Sequence, residues 1–433
     1  MPGITARIPD GANPYIIYPV NSEERASIQH EALKLHEKWR GKLSIESKVP
    51  VSDKHALSIA YTPGVAEPCR EIARDPSLID VYTGRWNTVA VVTDGSAVLG
   101  LGNIGARAAL PVMEGKSVLF KAFGAVDAFP VCIDSQDADD IVNTVRLLEP
   151  TFGGINLEDI SAPTCFEVEE RLIHECDIPV FHDDQHGTAV VVLAAAINSC
   201  RVTGRPVEEL DIVINGAGAA GIAIARMFHA VGVRKIVLCD TKGIISGDRG
   251  DLNPAKMRVA EWTNPESRTG DLTAAMRGTN MFIGVSAKGV VTREMVASMD
   301  NGSVVFAMAN PDPEIMPGDA RAAGAAVVAT GRSDFPNQVN NVLGFPGIFR
   351  GTLDVRASVI NQEMKLAAAR ALAGLVEEDL GPECIIPEAF DLRVAPAVAA
   401  AVAGAAADSG VAREPKTPGE VAASTRAMLG IKE

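Results

Sequence analysis

The sequence has no C-x-x-C pair among its seven cysteines, which are scattered and odd in number. That spacing excludes a disulfide framework and a cysteine zinc site, leaving buried free thiols. Residues 1–20 lack a basic region followed by an apolar run, so no secretory signal is expected and the expected setting is cytoplasmic. No segment reaches the roughly 20 apolar residues of a membrane span. The longest weakly polar run, residues 394–407, is mainly alanine and reads as a packing helix. Positive charge is also short: a formal net charge of -15 excludes a broad nucleic-acid surface or an anionic-membrane partner. There is no internal repeat, and a small metabolite is the partner class that remains.

What is there is a soluble-globular composition, 47% hydrophobic and 22% charged, on a chain of 433 residues. That length is too great for one ordinary core, so two domains are expected. Pro63-Gly64 breaks an early helical pattern and puts Tyr61 in or beside a turn. Short β-rich runs follow at 88–92, 118–121, 129–133, 154–157 and 178–181, separated in part by helical patterns at 138–148 and 166–175. This alternation predicts a largely parallel α/β domain over residues 1–203. A second series, with strands at 211–215, 235–239, 281–285, 304–307 and 326–329, predicts another α/β domain over 204–365. Helices over 366–433 are expected to pack back on the first domain.

Gly216-Ala217-Gly218-Ala219-Ala220-Gly221 is a G-x-G-x-x-G that follows the apolar strand 211–215, opens a helix over 222–230, and precedes a strand ending in Asp240. Strand, glycine turn, helix and strand-ending acid within some thirty residues make a complete dinucleotide-binding βαβ unit. The glycines let the backbone approach a pyrophosphate, whose charge meets free N–H groups and the dipole at the helix start. Asp240 is then placed to hold a ribose 2′-hydroxyl, whereas Lys242 could meet a 2′-phosphate, so NAD and NADP both stay open. A second match, Gly100-Leu101-Gly102-Asn103-Ile104-Gly105, lacks that context, because Pro111 and Gly115 are expected to interrupt the helix after it. It is expected at most to line a cleft between the domains.

Two acidic pairs fall at equivalent places, Glu158-Asp159 and Asp183-Asp184, each directly after a predicted strand. In a parallel sheet the carboxyl ends of strands share one edge, so both pairs would enter one crevice. Four carboxylates there repel one another unless a cation sits among them, and oxygen ligands suit Mg²⁺ or Mn²⁺. His182 and His186 flank the second pair and are read as hydrogen-bonding residues. Asn310 follows the strand 304–307 and is a candidate contact for substrate or nicotinamide.

These stretches resemble one family. Tyr61-Thr62-Pro63-Gly64-Val65-Ala66, Thr93-Asp94-Gly95-Ser96 with Gly100 to Gly105 behind it, Pro111-Val112-Met113-Glu114-Gly115-Lys116, Phe181-His182-Asp183-Asp184-Gln185-His186-Gly187-Thr188-Ala189 and Asn340-Asn341-Val342-Leu343-Gly344-Phe345-Pro346-Gly347 are similar to malic enzyme motifs, in the family's order. They are most similar to the compact bacterial form, which has no phosphotransacetylase-like extension.

The resemblance implies oxidative decarboxylation of malate to pyruvate and CO2 with reduction of NAD or NADP. It implies an N-terminal α/β catalytic domain and a C-terminal Rossmann-like cofactor domain. It also implies a Mg²⁺ or Mn²⁺ ion held by Glu158, Asp159 and Asp184 as a Lewis acid. Lys116, its pKa lowered, would take the C2 hydroxyl proton, with Asp183 orienting it and Tyr61 protonating C3. Lys116, Asn310 and Asn341 would touch substrate, with Asn310 also reaching the cofactor. A homodimer or higher homo-oligomer is implied, with the lysine serving the neighbouring subunit's site in some members. One departure is Ala97, where larger members carry an arginine for the substrate carboxylate; Arg107 is either its substitute or a surface charge.

Other classes are open at this stage: a metal-dependent tartrate-type or malolactic hydroxy-acid enzyme, or a nicotinamide sensor without turnover. The presence of Tyr61, Lys116 and three carboxylates argues against a sensor, which needs none of them.

Overall fold

The structure is a computed structural model that describes residues 22–98 and 100–432. It contains two parallel-stranded sheets. The first holds β1 (Thr88–Thr93), β2 (Asp127–Cys132), β3 (Gly154–Leu157) and β4 (Val180–His182) in the order β2-β1-β3-β4, with every pairing parallel. Its inner strands are buried on both faces, and β1 reads Thr-Val-Ala-Val-Val-Thr, a run without charge and rich in β-branched residues, as such a position requires. Pro130 is tolerated because β2 is an edge strand.

The second sheet has the order β10-β9-β8-β5-β6-β7, with β5 (Asp211–Asn215), β6 (Lys235–Asp240), β7 (Gly243–Ile244), β8 (Met281–Gly284), β9 (Val304–Ala307) and β10 (Val327–Thr330). All its pairings are parallel except β6 with β7. Strand order reverses on either side of β5, which makes the crevice beyond β5 and β8 the natural ligand position. Fold class and Rossmann-like second sheet are as the sequence predicts.

The helix Thr188–Thr203 joins the two sheets. Its residues 189–196 are all buried, and each fully buried Val or Leu contributes about 1.5–3 kcal/mol. The helix Gln362–Gly374 packs along it, and Asn198 donates to the carbonyls of Ala373 and Ile385, both at 2.9 Å.

Three sequence expectations change. Residues 118–121, expected as a strand, lie inside the helix Ala106–Gly124. Ala106, Ala109, Met113, Lys116, Ser117, Phe120 and Gly124 are its buried positions, a helical period that outweighs the local β propensity of Val118. Neither Pro111 nor Gly115 interrupts that helix: Pro111 lies inside it and costs an intrahelical hydrogen bond, which the burial of the helix's inner face outweighs. The chain also returns to the first domain earlier than 366: the helix Phe345–Asp354 already packs on Ala106–Gly124 and on the alanine-rich helix Val394–Asp408.

Candidate active site

The carboxyl edges of the two sheets face one another across a cleft of about 450 Å³. From the first sheet come Ala97, Gly100, Asp159 and Asp184; from the second come Ser286, after β8, and Asn310, after β9. One acid of each pair, Asp159 and Asp184, therefore lines the crevice, while Glu158 and Asp183 are buried outside its lining. The glycine turn after β5 reaches the same space through Ala220, in the first turn of the helix Ala219–Ala230. That turn admits no side chains at two of its glycines: a Cβ on Gly216 would lie 2.4 Å from the Val285 carbonyl oxygen, and one on Gly221 1.8 Å from that of Gly216. The second glycine motif also reaches the cleft, since Gly100 faces the Asn310 backbone.

Glu158, Asp159 and Asp184 each present an oxygen within 4.8 Å of the others. The Asp159 amide donates to Asp184 Oδ2 at 2.8 Å, and Asn156 holds Glu158 Oε2 at 2.9 Å. Asp159 adopts a left-handed backbone, φ 54°, a strained state that persists only where the surroundings enforce it and that is common at functional sites. Burial, with mutual repulsion, drives these acids up: Glu158 and Asp183 to about 7 and Asp184 to about 6, against the pull of Lys116. A buried, self-repelling set of hard oxygen donors fits a divalent Mg²⁺ or Mn²⁺.

Lys116 projects from the middle of the helix Ala106–Gly124 between the two pairs. Its Nζ lies 2.5 Å from Asp183 Oδ2 and 2.9 Å from Glu158 Oε1, and 4.1 Å above the centre of the Phe345 ring. Burial pushes the amine down, but Asp183 and Glu158 outweigh it and hold Lys116 above the ordinary lysine value. The expected lowering is thus absent while the carboxylates carry full charge. Both partners belong to the same chain as the lysine. Asn341 donates to Asp183 Oδ2 at 2.5 Å and completes the cluster.

Other expected residues are placed differently. Tyr61 caps the helix Lys54–Ala60, just before Pro63-Gly64 as expected, but is 68% exposed and outside the cleft lining. Arg107 is a surface charge, its side chain 91% exposed and 3.4 Å from Asp134, so it does not replace the missing arginine at Ala97. None of the described residues lining the cleft is basic; Asn310, Asn340 and Asn341 bring its side-chain amides. Asp240 ends β6 as expected, but its carboxylate meets Arg249 at 2.9 and 3.2 Å and Lys256 at 2.6 Å. Burial raises its pKa, yet those partners hold it down at about 2. Lys242 Nζ turns instead to Asp251 at 2.9 Å.

Residues 40–173 match the family model for the malic enzyme N-terminal domain, and residues 185–407 match the model for the malic enzyme NAD binding domain. The chain belongs to the malic enzyme family. It is 58% identical over 409 residues to the bifunctional malic/malolactic enzyme of Bacillus subtilis, covering 94% of this chain and 100% of that protein. It is 51% identical over 400 residues to the NAD-dependent malic enzyme of Geobacillus stearothermophilus, covering 92% and 82%. Among solved structures, the malic enzyme of Pyrococcus horikoshii superposes with a TM-score of 0.90 at 44% identity, over 93% of this chain and 96% of that one. The malic enzyme resemblance of the five motifs is thereby confirmed over both domains.

Several residues of this family member's site carried no motif signal. Glu314 accepts from the amide of Ser286 in the cleft lining, Glu169 accepts from Gln185 beside Asp184, and Arg249 donates to Asp240. The signal available for Glu169 was an acid on the buried face of an amphipathic helix, beside Cys165 and Leu172.

Proposed function

We propose that this chain oxidises and decarboxylates malate to pyruvate and CO2 with reduction of NAD or NADP. The observation that carries the reading is the buried Lys116 amine between Asp183 and Glu158, at the edge of a three-carboxylate cluster that opens on the cofactor cleft. Glu158, Asp159 and Asp184 would hold Mg²⁺ or Mn²⁺. The ion, when bound, supplies Lewis-acid polarisation of the substrate oxygen.

Lys116 accepts the C2 hydroxyl proton as hydride leaves for the nicotinamide. Asp183, bonded to both Lys116 and Asn341, fixes the amine's direction. Neutralising the neighbouring carboxylates removes the attraction that keeps the proton on Lys116, which brings its pKa toward the working range. Asn310 and Asn341 donate to substrate in a cleft lining without a basic side chain. The resulting β-keto acid loses CO2, and Tyr61 protonates C3. Asp240 receives the ribose of NAD, or Arg249 and Lys256 beside it receive a 2′-phosphate.

A second copy of the chain belongs to this reading. No residue from 27 to 86 is buried, and Leu57, Ile59 and Tyr61 are exposed together on that segment. A segment with no buried residue and several exposed large apolar side chains supports an interface there. We propose a homodimer in which this segment brings Tyr61 to the partner's cleft. A cytoplasmic location accords with seven free cysteines, and no helix among the described residues is long and apolar enough to cross a membrane. We divide the chain into a catalytic part to 203, a cofactor part from 204 to about 340, and helices that return to the first part.

The name of the Bacillus subtilis relative favours a second reading, malolactic turnover, in which the reducing equivalent is returned and lactate leaves. The test is cofactor reduction by purified protein with L-malate and Mn²⁺, using NAD and NADP in parallel. Pyruvate and lactate are assayed, and the assay is repeated after chelation. Pyruvate in step with reduced cofactor, abolished by chelator, is expected; lactate without net reduction supports the second reading. Reduction without either product sinks both and points to another hydroxy-acid dehydrogenase.

A further inference from the structure

Asp183 and Asp184 are adjacent residues with different tasks, one facing Lys116 and one facing the other two carboxylates of the cluster. They lie in a single π-helical turn, Asp183–Gly187, between β4 and the helix Thr188–Thr203. A π turn is an unfavourable piece of backbone that commonly marks a functional site, and something must keep it from relaxing into the α-helix that follows. Gly187 permits the turn, since a Cβ there would lie 1.8 Å from Asp183 Oδ1, but does not hold it. The hold comes from Glu169, on the helix Thr164–Glu175.

Glu169 is 7% exposed and its two oxygens take bonds from three residues in and beside the turn. Oε1 accepts from the His182 amide at 3.0 Å; Oε2 accepts from Gln185 Nε2 at 3.1 Å and from His186 Nε2 at 3.0 Å. The last bond makes His186 Nδ1 an acceptor, and Lys365 Nζ stands 3.3 Å from it. The His182 amide and the side chains of Gln185 and His186 are thus engaged on the Glu169 side, while Asp183 and Asp184 meet Lys116 and the Asp159 amide. The turn also packs on the helix Ala219–Ala230 that opens the cofactor site.

We propose that Glu169 is a positioning residue that sets the aim of Asp183 and Asp184 by clamping this turn from behind. It touches neither substrate nor ion. The inference rests on the reading of Glu158, Asp159 and Asp184 as the cation site, and it adds the part that makes that site pre-organised. Partners of this kind, one bond removed from a metal's ligands, typically change metal affinity by about 10–100-fold when lost.

Glu169→Gln keeps the size and one acceptor but presents an NH2 to the NH2 of Gln185 and the Nε2–H of His186, so two bonds are lost. Glu169→Asp keeps the charge and falls short by one methylene. Mn²⁺ affinity is measured by calorimetry on both variants and the parent. Hydrogen exchange of the turn amides is followed in chelated protein. Both variants are expected to bind Mn²⁺ about tenfold or more weakly and to exchange faster at residues 182–187, with kcat recovered at saturating Mn²⁺. Mn²⁺ affinity within twofold of the parent in both variants overturns the role, whatever happens to the melting temperature. A parent that binds no Mn²⁺ at all overturns the cation site, and the role with it.

Discussion

Lys116 Nζ lies 2.5 Å from Asp183 Oδ2, although 67 residues separate the two in the chain. The helix Ala106–Gly124 carries the amine to the carboxyl edge of β4, where the acid begins the π turn. Neither group is exposed, so each dictates the other's charge. A buried lysine with no acid beside it would shed its proton; here the acid retains it until that acid's own charge is taken up elsewhere.

Replacing Lys116 by alanine should therefore remove the base and leave the cofactor site intact. Malate-dependent reduction of NAD or NADP is expected to fall by about 10²–10⁴-fold in kcat. Cofactor affinity, measured by fluorescence titration, should stay near that of the parent. Retention of more than a tenth of the parent's kcat would show that another group takes the proton.

The acid cluster makes the chelated protein sensitive to pH. Glu158 and Asp183, raised to about 7, and Asp184, raised to about 6, bind more protons in the folded chain than in the unfolded one. Stability should then fall as pH rises from about 4, the unfolded carboxylate range, to about 7, and level off above that. Lys116, also raised, acts in the same sense but only at much higher pH, from about 10 upward, where the unfolded chain gives up its lysine proton first. Melting of chelated protein between pH 5 and 7.5 should show the slope, and Mn²⁺ should flatten it while releasing protons. An Asp184→Asn variant should show a weaker Mn²⁺ shift, against about 2.7 kcal/mol expected for an intact site at 100-fold the dissociation constant.

Cofactor choice turns on Asp240. Its carboxylate stands between Arg249 and Lys256 at the end of β6, so removing its charge leaves two cations unopposed. Asp240→Asn is expected to shift the ratio of kcat/KM for NADP over NAD upward by about tenfold, the equivalent of 1.4 kcal/mol. An unchanged ratio would place the ribose elsewhere.

Tyr61 can be tested by complementation. Tyr61→Phe and Lys116→Ala, each nearly inactive alone, are mixed under conditions that exchange subunits. If Tyr61 serves the partner's cleft, a mixed dimer contains one intact site and activity should return toward about a quarter of the parent's, as random pairing of equal amounts dictates. If Tyr61 acts within its own chain, every site in the mixture carries a lesion and nothing returns.

Much of this protein was legible in local runs of residues. The βαβ unit from Asp211 to Asp240 is contiguous, and its glycine turn is recognisable by its spacing after the strand, although only Gly221 answers an approach within that segment while Gly216 makes room for the Val285 carbonyl. The acidic pairs were legible for a related reason: parallel strands align their carboxyl ends, so two pairs placed just after β3 and β4 had to share an edge. Residues 118–121 were misread because β-branched and aromatic neighbours suggest a strand locally, whereas the buried face of the whole helix, from Ala106 to Gly124, is decided by what packs against it.

Order along the chain determined which chemical groups exist and at which strand ends they emerge. It determined the glycine turn, the carboxylates and the lysine, and with them the family. Tertiary structure alone decided what each group faces: Lys116 held protonated by Asp183 and Glu158, Asp240 already engaged by Arg249 and Lys256, Arg107 left in solvent, Tyr61 turned outward, and Glu169 behind the turn. The reason is that charge state and hydrogen-bond partner depend on distance and burial in space, and groups that settle them here come from segments up to 67 residues away for the lysine and 158 for Asn341 and Asp183.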